Sequence, residues 1–127
     1  MKNLKKYDYV TNTLKRTYPR GMDVEIVSFK ALKEAHFNTD DPFDREHVTP
    51  FIRKRPQQFR LYNILYRTDM SRYRWTLDTP EDLELISKIF ESLYFQNPFF
   101  SLKDMLDQME RTPELAAINA HIEQENG

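Results

Sequence analysis

A single internal glycine is the tightest constraint on this chain. Of its two glycines in 127 residues, Gly127 is terminal, which leaves Gly21. Glycine alone reaches positive φ without strain and lets a backbone pass close to a ligand or another segment. Whatever sharp turn the fold needs is therefore expected at Gly21. A P-loop or a GxGxxG dinucleotide turn requires several glycines in a short run to cradle phosphate, and the chain holds neither. The absence of cysteine removes disulfides, thiolate-ligated zinc and a thiol nucleophile.

At this length one domain is expected over 1–127, large enough to bury a core without covalent staples. No apolar run reaches the length of a membrane span, and no apolar region follows the basic start as in a signal peptide. A cytoplasmic location with no membrane partner is the expectation. The net charge of −1 hides an asymmetry: residues 1–75 carry 16 Lys/Arg against 9 Asp/Glu, and residues 76–127 carry 3 against 11. The first part either attracts phosphates or is neutralised by the second. Its basic residues are scattered, with Arg53-Lys54-Arg55 the densest cluster. Tyr62, Tyr66 and Tyr73 near Arg60, Arg67 and Arg74 imitate a base-stacking platform, yet serve equally as core or interface aromatics. No nucleic-acid partner is expected.

Apolar spacing of three and four predicts a helix over 79–94, with Leu83, Ile86, Phe90 and Leu93 as its stripe and Leu85 and Ile89 widening it. Thr79 is the N-cap, Pro80 suits the first helical position, and Asp82 completes a capping box. Ser101-Leu-Lys-Asp104 opens a second capped helix, and Thr112-Pro113-Glu114 a third through Leu115 and Ile118. Ser28 caps a helix over 29–36 with Leu32 and Ala35 inward. Asp41-Pro42 starts another, carrying Arg45 to Val48, and Thr49-Pro50 repeats the cap-plus-proline pattern. Strands are expected at 7–11, 24–27, 59–66 and 74–77. Strands alternating with helices imply an α/β fold with a helix-covered sheet.

Three segments can carry chemistry. Asp78 follows the 74–77 strand, where α/β sheets place ligands; it is either a Mg²⁺ carboxylate or part of the helix cap. Asp23 and Glu25 flank Val24 after the Gly21 turn. Two apart on a strand, they share a face, so they bind sugar hydroxyls or a metal, or form a solvated edge. Asp44-Arg45-Glu46-His47 packs four ionisable groups at a helix start. There Asp44 either orients His47 across one turn or lies on an ordinary charged face.

Taken in order, Tyr9-Val10-Thr11-Asn12-Thr13, Thr17-Tyr18-Pro19-Arg20-Gly21-Met22-Asp23-Val24-Glu25, Arg45-Glu46-His47-Val48-Thr49-Pro50 and Arg74-Trp75-Thr76-Leu77-Asp78-Thr79-Pro80-Glu81-Asp82-Leu83 resemble the C-terminal half of a sugar cytidylyltransferase. So does the tail Pro113-Glu114-Leu115-Ala116-Ala117-Ile118-Asn119. The likeness is to the spore coat polysaccharide biosynthesis protein F family, which is related to acylneuraminate and 3-deoxy-manno-octulosonate cytidylyltransferases. The resemblance implies the C-terminal part of a three-layer α/β/α nucleotide-diphospho-sugar-transferase-like fold. It implies a reaction in which CTP and a sugar give a CMP-sugar and pyrophosphate in surface polysaccharide biosynthesis. It also implies Asp78 as a Mg²⁺ ligand and Arg20, Asp23, Glu25, Arg45 and His47 as sugar contacts. A homodimer follows from the resemblance too, as does a glycine-bearing CTP loop in the other half, which a separate subunit could supply. Without that loop the chain is expected to be inactive alone. The alternatives are a non-catalytic oligomerisation or sugar-binding remnant and, behind it, a phosphate- or nucleic-acid-binding domain using residues 1–75.

Overall fold

The structure is a computed structural model that describes residues 6–47 and 49–122. Its elements are β1 (Tyr9–Thr11), β2 (Glu25–Val27), α1 (Phe29–Asn38), α2 (Pro42–His47), α3 (Pro50–Arg53), β3 (Leu61–Asn63), α4 (Pro80–Tyr94), α5 (Leu102–Arg111) and α6 (Glu114–Ala117). This is a mixed α/β fold. The chain divides into two compact units, residues 1–17 with 23–67, and residues 18–22 with 68–127.

The first unit is built on a three-stranded sheet in the order β2-β1-β3. β1 is central and wholly buried, antiparallel to β2 and parallel to β3. Tyr9, Ala31, Ala35, Phe51, Ile52 and Phe59 form its core, with Val27 and Leu61 packed against them. The side chain of Ser28 accepts the amide of Ala31 and starts α1 as expected. The inward face of α1 is Ala31 and Ala35, two small residues that let the helix lie close. Leu32 is only half-buried. The expected 59–66 strand shortens to three residues.

The second unit packs α4 against α5 and α6. Both capping boxes form: Thr79 with Asp82, and Ser101 with Asp104. The buried face of α4 differs from the expected stripe. Asp82, Leu85, Ile89 and Leu93 are inside, whereas Leu83 and Phe90 are 59% and 48% exposed. Two apolar rows about 100° apart satisfy the helical period equally well. The buried ion pair of Asp82 with Arg74, at 2.8 Å, accompanies the row that contains the carboxylate.

The expected strand at 74–77 is absent. Arg74 makes only an isolated parallel bridge to Arg20, because its side chain and carbonyl are engaged elsewhere in the unit. Gly21 lies beside this bridge at φ 103°, and a Cβ there would stand 2.1 Å from the carbonyl oxygen of Trp75. The one internal glycine thus answers both needs at once, a left-handed turn and a close backbone approach.

Candidate functional site

In the first unit a half-exposed carboxylate on β2 gathers polar side chains from β1 and α3. β1 and β2 pair with Tyr9 opposite Val27 and Thr11 opposite Glu25. Tyr9, Thr11, Glu25 and Val27 therefore share one face, and Tyr9 reaches Glu25 along the diagonal. The Tyr9 hydroxyl donates to Glu25 Oε1 at 2.7 Å. Thr49, at the start of α3, presents its hydroxyl to both carboxylate oxygens at 3.2 Å. Arg53, the last residue of α3, brings Nη1 within 3.6 Å of Oε1. The same nitrogen donates to Thr13 at 2.6 Å and to the Tyr9 oxygen at 3.3 Å.

The hydroxyls are ordered by what each must donate to. Thr11 spends its proton on the Val24 carbonyl at 2.7 Å. Its 3.0 Å contact with Thr13 is therefore one that Thr13 donates. A directed chain results, from Arg53 through Thr13 and Thr11 to the backbone of the segment that carries Glu25. Asn12 ties the same segment by accepting the Val24 amide at 3.0 Å. Asn63 on β3 holds the adjoining turn, accepting the amides of Leu14 and Lys15. Burial, then the hydrogen bond to Glu25, holds the Tyr9 phenol above the ordinary tyrosine range, with Arg53 opposing. The phenol is thus a donor at neutral pH.

The structure disperses most of the residues that the sequence singles out. Asp23 precedes β2 and takes a bidentate contact from Arg16, at 2.9 and 3.3 Å, so it does not join Glu25. Asp44 is buried. One of its oxygens accepts the Thr39 hydroxyl at 3.0 Å and the other has no partner among the described residues, so it does not orient His47. His47 is exposed and rests on the Phe43 ring at 4.3 Å. Arg45 donates to the Thr39 carbonyl at 3.1 Å and lines an apolar groove of about 560 Å³ along α1.

Arg20 and Asp78 belong to the second unit. Arg20 serves the bridge through its backbone, accepting from Trp75 at 2.7 Å. Asp78 does not follow a strand; its side chain is 75% exposed and 3.7 Å from Arg74 Nη2. Among the described residues no three His, Asp or Glu side chains cluster to hold a metal. Asp78 fits the part of one carboxylate beside substrate phosphates, the usual way a protein holds Mg²⁺. Its neighbour Asp82 does not fit that part. It is fully buried and accepts from Arg74 twice, Thr76, Asn119 and the amides of Asp78 and Thr79. The Arg74 guanidinium foremost holds its carboxyl far below the usual carboxylate range, against the cost of burial.

Sequence reasoning missed Tyr9, Thr13, Thr49 and Arg53. Only the strand register and the placement of α3 bring them to Glu25, and neither is written in local spacing. Among the described residues no helix is long and apolar enough to cross a membrane.

No protein-family model matches the chain. Over 122 residues it is 26% identical to an uncharacterised protein of Methanocaldococcus jannaschii, covering 94% of this chain and 48% of that protein. Over 113 residues it is 27% identical to the spore coat polysaccharide biosynthesis protein SpsF of Bacillus subtilis, covering 87% of this chain and 45% of that protein. Its structure is similar to that of a cytidylyltransferase from Leptospira borgpetersenii serovar Hardjo-bovis. The TM-score is 0.83 at 27% identity, over 98% of this chain and 50% of that one. The chain thus spans about half the length of the proteins it matches.

Proposed function

We propose that this cytidylyltransferase-like domain is the sugar-side half of an SpsF-like enzyme of surface polysaccharide biosynthesis, forming a CMP-sugar from CTP and a sugar. The observation that carries the reading is the likeness of nearly the whole chain to half of a cytidylyltransferase, at a TM-score of 0.83. In such a reaction a sugar hydroxyl oxygen bonds to the α-phosphorus of CTP. The bond from that phosphorus to the β-phosphate bridge breaks, pyrophosphate leaves, and the hydroxyl proton passes to a base or solvent. When bound, Mg²⁺ supplies charge neutralisation at the phosphates.

The chain's own contribution is positioning. Glu25 accepts from sugar hydroxyls; Asp23, Arg45 and His47 stand as further contacts on the same unit, and Arg20 as an anion contact. Asp78 offers one carboxylate to the metal. The glycine-rich CTP cradle is assigned to a partner half, because the only internal glycine is committed to the Trp75 approach.

Pyrophosphate release from CTP with Mg²⁺ and a panel of sugars tests the reading. The chain alone is expected to release none, and CMP-sugar formation by it alone overturns the assignment of the cradle to a partner. Addition in trans of the half of the Leptospira enzyme that this chain does not match is expected to give release that Asp78→Asn abolishes. Release that survives Asp78→Asn removes the metal role. The homodimer has a candidate face in the exposed Leu83, Phe90, Tyr94, Phe95 and Phe99. A monomer by light scattering, at every concentration reached, rejects it.

A further inference from the structure

Glu25, with its side chain 39% exposed, and Arg53, with its side chain 22% exposed, have binding capacity that their protein partners do not use. A carboxylate offers about four lone-pair sites. Glu25 receives Tyr9 at Oε1 and the single Thr49 proton shared between both oxygens. Arg53 spends Nη1 on Thr13 and Tyr9, while its Nε and Nη2 donate to nothing among the described residues. An open acceptor and an open donor edge therefore stand side by side, 3.6 Å apart at their nearest atoms. Thr49 strengthens the point. It sits at the N-cap of α3 without capping it, and its hydroxyl turns to the carboxylate instead.

Resting on the sugar-side reading above, we propose that Glu25 and Arg53 together recognise two neighbouring hydroxyls of an uncharged part of the sugar. Glu25 accepts from one hydroxyl and Arg53 donates to the other. Tyr9, Thr13 and Thr49 are positioning residues that fix the pair before the ligand arrives, so little rotamer freedom is lost on binding. The choice of a diol follows from charge. An anion at this point meets the Glu25 carboxylate as well as the arginine, and a cation meets Arg53. Adjacent hydroxyls supply one donor and one acceptor with no net charge.

Saturation-transfer NMR on the full chain tests this, with glucose, galactose, mannose and N-acetylmannosamine as neutral probes and glucuronate as the anionic one. The wild type is expected to bind at least one neutral sugar. Glu25→Gln and Arg53→Lys are expected to weaken that binding by about tenfold or more, the scale of a lost charge-assisted hydrogen bond. Thr49→Val is expected to weaken it less, without disturbing the helix start. Superimposable amide spectra establish that the variants are folded. The Tyr9 ring signal reports the network itself, because Glu25→Gln lowers the pH at which that phenol titrates. Neutral-sugar binding unchanged in both Glu25→Gln and Arg53→Lys overturns this inference and leaves the sugar-side reading standing. Arg53→Lys that weakens only glucuronate overturns the diol class in favour of an anion. No sugar bound by the wild type overturns both this inference and the reading beneath it.

Discussion

Two carboxylates, one in each compact unit, are surrounded by arginine and threonine and do opposite things. Asp82 is fully buried and takes six hydrogen bonds, from Arg74, Thr76, Asn119 and two backbone amides. Glu25 takes two hydroxyl donors and keeps more than a third of its side chain in solvent. Asp82 has no capacity left for a ligand, so its work is to hold the 74–82 turn to α4 and to Asn119. The Asn119 amide also donates to the Arg74 carbonyl at 2.8 Å and closes the ring. Glu25 is held on one side and left open on the other. Saturation, rather than the presence of charged residues, separates the structural cluster from the candidate site.

The largest effect expected from this contrast is at Asp82. Asp82→Asn leaves the buried Arg74 cation without its counter-charge, and removing one partner of a buried pair costs on the order of 3–5 kcal/mol. Urea unfolding measures it, and a loss below about 1 kcal/mol would show that the ring is not the keystone of its unit. The pH dependence carries the sign. A carboxyl whose folded pKa is depressed stabilises the fold above its unfolded pKa, about 3.9, and that contribution falls away as pH drops through the interval below. Wild-type stability is therefore expected to decline below about pH 4 with a slope approaching 1.4 kcal/mol per unit from this group. Asp82→Asn removes that part of the slope. Glu25→Gln, at the half-exposed site, is expected to change stability far less.

Much of the Asp82 region was legible in the sequence, and much of the Glu25 region was not, for one physical reason. Capping is local. Thr79, Pro80 and Asp82 announce a helix start within four residues, and the helix and its box form as read. The partners that bury Asp82, at positions 74 and 119, are not local, and they accompany the inward turn of the Leu85, Ile89 and Leu93 row. At the candidate site Glu25 was singled out, but its partners at 9, 49 and 53 meet it only through sheet register and the seating of α3. Proximity in sequence misled in the other direction. Asp23 beside Glu25 goes to Arg16, and Asp44 beside His47 goes to Thr39.

The Gly21 turn belongs to the closed region and is expected to be next in size. Gly21→Ala places a side chain at φ 103° with its Cβ 2.1 Å from the Trp75 carbonyl oxygen. The left-handed backbone alone costs about 1–3 kcal/mol in a non-glycine residue, and the contact is with backbone that cannot rotate away. A fall in thermal midpoint is the readout. An unchanged midpoint would mean that the Arg20–Arg74 bridge yields at no cost and that the closed region is softer than its hydrogen bonds suggest.

The smallest effect discriminates best, because it compares one residue type in one sequence context. Thr49-Pro50 and Thr79-Pro80 carry the same cap-plus-proline signature. Thr79 is extended, and its hydroxyl accepts the Asp82 amide at 3.1 Å. Thr49 has helical dihedrals and no cap bond, and its hydroxyl serves Glu25. Thr79→Val is therefore expected to cost about 1 kcal/mol, the usual value of a cap. Thr49→Val is expected to cost less, about 0.5 kcal/mol, because its hydroxyl, though buried, caps no helix and serves a carboxylate that solvent also reaches. Equal losses on urea unfolding would mean that both threonines are structural, and the separation between the closed carboxylate and the open one would fail at Glu25. A threonine that gives up its helix to hold a half-exposed carboxylate contributes little to stability in exchange, so its worth must be measured in what that carboxylate binds.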